Sequence, residues 1–221
     1  MSIITLKADE LDAILFDLNG TMINDGQYHR EAFRQFFAKY HLKVSPEEYQ
    51  AKVHARRSSE IFPALFNREF SAEEITAFIH EKESLYRSLC APHIKEVAGL
   101  SACIAQAKER GIKLAVASSS PPENIDFALS TLGLADVFQS VINGYQIEKP
   151  KPDPEIYLRT LQALGVTPNR AVIFEDSESG IAAGLAAGVR VIGLQTEETE
   201  EDLLRFGAEA AITDYTEVLF G

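Results

Sequence analysis

Five short apolar runs without polar alternation punctuate the chain: AILF (13–16), IKLAVAS (112–118), AVIF (171–174), VRVIGL (189–194) and AAIT (210–213). Runs of this length, rich in β-branched residues, read as strands buried on both faces. Between them the apolar positions switch to helical spacing, in LSACIAQAKERG (100–111), ENIDFALSTLGL (123–134), PEIYLRTLQALG (154–165) and GIAAGLAAG (180–188). Gly111, Gly165 and Gly188 read as helix C-caps, and Asp153-Pro154-Glu155 as a cap, a first-turn proline and an acidic first turn. Strands alternating with helices predict an α/β fold, a Rossmann-like doubly wound parallel sheet covered on both faces.

Residues 24–93 break the alternation. HREAFRQFFAKY (29–40) has helical spacing, SPEEYQAKVHARR (45–57) opens on Ser45-Pro46, and SAEEITAFIHEKESLYRSL (71–89) opens on a capping box from Ser71 to Glu74. The spacing therefore predicts an α-helical insert over 24–93 between two segments of a core, 1–23 and 94–221. NDG (24–26) and APHIKEV (91–97) read as its connectors, and the stripe Phe33, Phe36, Phe37 as its core.

Composition narrows the function classes. Of 221 residues, 46% are hydrophobic and 24% charged, enough to bury a sizeable core. A net charge of −12 argues against nucleic-acid and anionic-membrane partners, which require a basic face. It leaves room for a small phosphorylated substrate, because a cation and a lysine can offset charge locally. Cys90 and Cys103 make no C-x-x-C pattern, so a reducing compartment is expected. The first apolar run is too short for a signal peptide or a membrane span, and a soluble cytoplasmic monomer is expected.

Candidate chemistry sits just beyond three predicted strands, where open parallel sheets build their sites. Asp17 and Thr21 follow the first; Ser118, Ser119 and Ser120 follow the second; Glu175 and Asp176 follow AVIF. Asn19-Gly20, a strong turn signal, falls within the first of these. Carboxylates suit Mg²⁺, hydroxyls and N–H groups suit phosphate oxygens, and a lysine suits the charge that develops on them. EKPKPDPEIY (148–157) supplies Lys149 and Lys151 ahead of a helix. Each feature alone is ordinary, since strand ends are commonly polar.

Together they resemble the haloacid dehalogenase superfamily, in its β-phosphoglucomutase-like branch. The residues carrying the resemblance are Asp17-Leu18-Asn19-Gly20-Thr21, Ser118 in AVASSS, Lys151 in KPDPEIY and Glu175-Asp176 in IFEDSESG. The resemblance implies a covalent phosphoryl transfer with Asp17 as nucleophile and Lys151 bridging Asp17 and the phosphate. It implies Mg²⁺ held by Asp17, Asp176 and the backbone carbonyl of Asn19, with Glu175 ordering the metal's shell directly or through water. Thr21, Ser118 and, more weakly, Ser119 are implied to meet the phosphoryl group. In the insert, His29 and Lys82 are implied to meet the substrate, and Arg56 and Arg57 to lie near a specificity loop. Lys149 reads as a solvated lysine. For each hydroxyl and surface cation the ordinary alternative is a cap or a salt bridge.

One position departs from the family pattern. Asn19 stands where the family has an aspartate that protonates the leaving group and later activates the attacking water. An amide cannot exchange that proton, and such acid–base catalysis contributes roughly 10²–10⁴-fold. Three explanations remain open: a leaving group needing little protonation, such as an acyl phosphate or pyrophosphate; a substitute group, Asp25 or His29; or a substitution made to trap a complex. The expected function is Mg²⁺-dependent phosphohydrolysis of a small metabolite, possible sugar phosphates included. The alternatives are a β-phosphoglucomutase-like phosphomutase, which needs the missing proton shuttle twice, and a catalytically weakened phosphate-binding or regulatory protein. No halide site is recognisable.

Overall fold

The structure, a computed structural model, describes residues 3–53 and 58–221. Strands are β1 (Ile4–Leu6), β2 (Ala13–Phe16), β3 (Lys113–Ala117), β4 (Ser140–Ile142), β5 (Ala171–Glu175), β6 (Arg190–Leu194), β7 (Ala210–Ile212) and β8 (Val218–Phe220). Helices are α1 (Gly26–Lys39), α2 (Pro46–Lys52), α3 (Ser58–Phe66), α4 (Ala72–Cys90), α5 (Leu100–Glu109), α6 (Pro122–Thr131), α7 (Glu155–Leu164), α8 (Glu178–Ala186) and α9 (Glu200–Arg205).

A six-stranded parallel sheet runs in the order β4-β3-β2-β5-β6-β7, the doubly wound α/β arrangement that the apolar runs predict. Every residue of β2 and β5 is buried, which explains why both read as unbroken apolar runs. Alternation survives within them: Ile14 and Phe16 join one core cluster, Ala13 and Leu15 the other. The first face is aromatic near the strand ends, with Phe16 stacked on Phe174 at 5.5 Å and Tyr215 tilted over Phe16 at 5.9 Å.

The sequence pattern missed three strands. β4 is an edge strand of half-buried residues, and β1 pairs with β8 in a separate two-stranded parallel sheet. At three residues each, none is long enough to show a period. At α7, Asp153 takes the N–H of Glu155 at 3.0 Å, but the residue in the cap position is Pro154.

The chain divides into two compact units, Met1–Asp25 with Ile94–Gly221, and Gly26–His93. The second unit is helical throughout its described residues and has its own core of Phe33, Phe36, Phe37, Val53, Ile61 and Phe62. The capping box expected at Ser71–Glu74 starts α4, and Ser45-Pro46, read as a helix start, forms a second capping box with Glu48 at α2. Arg56 and Arg57 lie outside the described residues. Among the described residues no helix is long and apolar enough to cross a membrane.

Candidate active site

Sheet register brings the candidate residues of the larger unit together. Phe16 pairs with Val116 and with Phe174, so the residues that follow these strands emerge side by side. Asp17 extends the ladder by donating its N–H to Phe174 O at 3.0 Å, and Ser118 does the same to Ile142 O at 3.0 Å. Beyond β2 the chain closes a tight helical turn, in which Thr21, Met22 and Ile23 all donate to Leu18 O. Gly20 sits at φ +74°, and a Cβ there would lie 1.9 Å from Asp176 Oδ2. Only glycine permits both the turn and the approach of that carboxylate.

Lys151 is the centre of the cluster. Its Nζ donates to Asp17 Oδ1 at 2.6 Å, Glu175 Oε1 at 2.6 Å and Ala117 O at 3.2 Å. The ammonium's three protons therefore have three acceptors. Glu175 is equally engaged. Its Oε1 accepts from Lys151 and from the Tyr157 hydroxyl at 2.8 Å. Its Oε2 accepts from the N–H of Asp176 at 3.0 Å, the N–H of Ser177 at 3.2 Å and the Ser177 hydroxyl at 3.1 Å. Five donors fill the lone-pair sites of one carboxylate.

Burial and charge set the electrostatics. Burial pushes the Asp17 carboxyl up to about 7 against the pull of Lys151, with Glu175 adding to the rise. Burial, then repulsion from Glu175 and Asp17, holds Asp176 well above the usual carboxylate range. Burial also works upward on Glu175, but Lys151 and the hydrogen bonds it receives outweigh that and keep it low. Lys151 is raised well above its ordinary value, since Asp17 and Glu175 overcome the effect of burial. Three buried carboxylates thus face one ammonium.

Other expected residues fall around this centre in different ways. Thr21 is fully buried and donates its hydroxyl to Asp176 Oδ1 at 3.2 Å, so its contact in this structure is a carboxylate. Ser118 is buried, and its Oγ accepts the Ser120 N–H at 3.3 Å. Of the two serines given less weight than Ser118, Ser119 is exposed, whereas Ser120 donates to Asn19 Oδ1. The Asn19 amide donates in turn to Asp25 Oδ2 at 2.5 Å. Lys149 is exposed, as expected of a solvated lysine. His29 and Lys82 belong to the helical unit: Lys82 Nζ stands 2.8 Å from His29 Nδ1 and 3.0 Å from Glu83 Oε1, and His29 stacks on Tyr86.

Sequence reading missed Tyr157, Ser177, Thr196 and Tyr215. Thr196 donates to Gly20 O and Tyr215 to Thr21 O, pinning the turn after β2. Only Ser177, a capping residue opening GIAAGLAAG, carried a local signal.

A doubly wound sheet with a lysine-bridged carboxylate pair at its strand ends places the cluster where open α/β proteins bind their ligands. The chain belongs to the haloacid dehalogenase-like hydrolases, whose family model matches residues 14–194. Protein CbbY of Rhodobacter capsulatus is 31% identical over 202 residues, 87% of this chain and 89% of that protein. A haloacid dehalogenase hydrolase of family IA, variant 3, from Entamoeba histolytica superposes with a TM-score of 0.86 at 30% identity, covering 94% of this chain and 95% of that one. CbbY from Rhodobacter sphaeroides, in complex with xylulose-(1,5)bisphosphate, superposes with a TM-score of 0.79 at 29% identity over 94% of this chain and 96% of that one.

Proposed function

We propose that the chain is a Mg²⁺-dependent phosphohydrolase of a small phosphorylated sugar, working through an aspartyl-phosphate on Asp17. The observation that carries the reading is Lys151 bridging Asp17 and Glu175 at two adjacent strand ends, with Asp176 beside them. CbbY's complex with a sugar bisphosphate supports the substrate class.

A divalent cation fits this donor set. Among the described residues no three His, Cys, Asp or Glu side chains gather into a complete cation cage. Mg²⁺ does not need one, since it binds through one or two carboxylates and keeps waters and substrate phosphate for the rest. Asp17, Asp176 and the Asn19 carbonyl would hold it, and the excess of buried carboxylate over ammonium favours it. Bound there, it would neutralise charge on the phosphoryl oxygens and favour ionised Asp17. Glu175, filled by protein donors, is assigned to hold Lys151 and not to ligate the cation.

An Asp17 Oδ attacks phosphorus, an Oδ–phosphorus bond forms, and the bond from phosphorus to the sugar oxygen breaks, that oxygen taking its proton from solvent. Lys151 stabilises the charge growing on the phosphoryl oxygens. Ser118 lies at the neighbouring strand end to receive one of them. Water then attacks phosphorus, frees Asp17 and releases phosphate. Asn19 takes no proton in either half, so turnover is slow or the leaving group needs little protonation. The same deficit, incurred twice, disfavours a phosphomutase. Lys82 and His29 of the helical unit are assigned to substrate recognition.

The test is phosphate release with Mg²⁺ across a panel of sugar phosphates, bisphosphates and acyl phosphates. Release by the chain and its complete loss in Asp17→Asn are expected. Equal release by both would end the covalent reading, and transfer to a second sugar in place of water would favour the mutase.

A further inference from the structure

Tyr157 stands on α7 with no exposed surface. A phenylalanine would fill the same space, so the hydroxyl needs its own explanation: buried without a partner it would be unfavourable. Its partner is Glu175 Oε1 at 2.8 Å, the same oxygen that accepts from Lys151 at 2.6 Å. The ring lies beneath that ammonium, with Nζ 5.0 Å from its centroid, within cation–π range. One side chain thus touches both members of the ion pair, the carboxylate through its hydroxyl and the ammonium through its face.

We propose that Tyr157 is a positioning residue, acting through Glu175 to fix Lys151 against Asp17. The inference rests on the phosphohydrolase reading above. The other oxygen has its own donors: Oε2 accepts from the N–H of Asp176 and from the N–H and hydroxyl of Ser177. Oε1 is the end that faces the lysine, and it accepts from Lys151 and from Tyr157. Without the hydroxyl, Oε1 is oriented by Lys151 alone, and the ammonium loses a rigid reference for its reach to Asp17. Substrate binding elsewhere is untouched, so the loss falls on the transition state.

The experiment compares the chain with Tyr157→Phe, which keeps the ring. A hydrogen bond to a charged group is equivalent to about 10- to 150-fold in rate, and acting through Glu175 places this one at the lower end. The expected result is kcat lower by about tenfold, with KM within about twofold and the Lys151 ammonium signal in ¹⁵N NMR of the substrate-free protein broadened or lost. Glu175→Gln supplies the second arm: in that background Tyr157→Phe should change kcat much less, because the charge it served is gone. Unchanged kcat, an effect on KM alone, or additive effects of the two substitutions would each overturn the proposal. Should the chain release phosphate from no substrate, the functional reading fails and the NMR arm alone decides. An ammonium signal that persists unaltered in Tyr157→Phe then overturns the positioning role, and its loss upholds it.

Discussion

At position 19 an amide is wedged between a hydroxyl donor and a carboxylate acceptor. Ser120 donates to its oxygen, and its nitrogen donates to Asp25 at 2.5 Å. The donor and acceptor ends of an amide satisfy both neighbours, which an aspartate could not do. Asn19→Asp would set two carboxylates in contact inside the protein, and buried like charges disfavour one another. We expect that substitution to destabilise the fold by about 1 kcal/mol, the loss of the half-buried Asn19 hydrogen bond to Asp25. Asn19→Asp/Asp25→Asn restores one amide and one carboxylate and should recover the stability. It also returns a proton-exchanging group to position 19, so phosphate release should rise by about 10²-fold or more. Thermal melts and initial rates of the three proteins check both statements. Equal melting temperatures for single and double variants would show that the contact carries no weight. A sequence shows that 19 is asparagine; that its partner is Asp25 emerges only from the turn after β2.

Among the elements, what was legible depended on length and on local chemistry. Helices α2 and α4 announce themselves because their starts are written locally, α2 in Ser45-Pro46 and α4 in a capping box from Ser71 to Glu74. β2 and β5 were readable because burial on both faces leaves an uninterrupted apolar run. β1, β4 and β8 exist through partners remote in sequence, and none of the three is buried throughout as β2 and β5 are. The start of α8 combines both cases. Ser177 caps it by accepting the Gly180 N–H at 3.1 Å, a local signal, yet the same hydroxyl donates to Glu175. Gly180 is required for a reason invisible in the sequence: its missing Cβ is where Glu175 Oε1 lies, 1.8 Å away. Gly180→Ala must displace that carboxylate or the first turn of α8. The expected cost is about 1–3 kcal/mol, as for overpacking elsewhere, together with a loss of phosphate release that exceeds the loss of folded protein. A stable Gly180→Ala enzyme with unchanged rate would show that Glu175 can move without consequence for Lys151.

For the whole molecule, the division of the chain into two units has an energetic consequence. The larger unit has two apolar clusters and the helical unit its own, and the chain passes between units only at residues 25–26 and 93–94. Phe36 is central to the helical cluster, fully buried, with ring neighbours Phe62 at 5.3 Å and Phe78 at 5.4 Å. Truncating a buried phenylalanine to alanine typically costs about 3–5 kcal/mol, because transfer and cavity contributions add. A loss of that size approaches the whole stability of a small domain. Local opening free energies follow cooperative units, so the loss should register where the cluster is. Hydrogen exchange on Phe36→Ala is therefore expected to accelerate in peptides from 26–93, while β2, β3 and β5 keep their protection. Asp17, Lys151 and Glu175 are all carried by the protected unit, so the Lys151 ion pairs should survive the opening. Equal acceleration in both sets of peptides would mean instead that the two clusters open as one cooperative body.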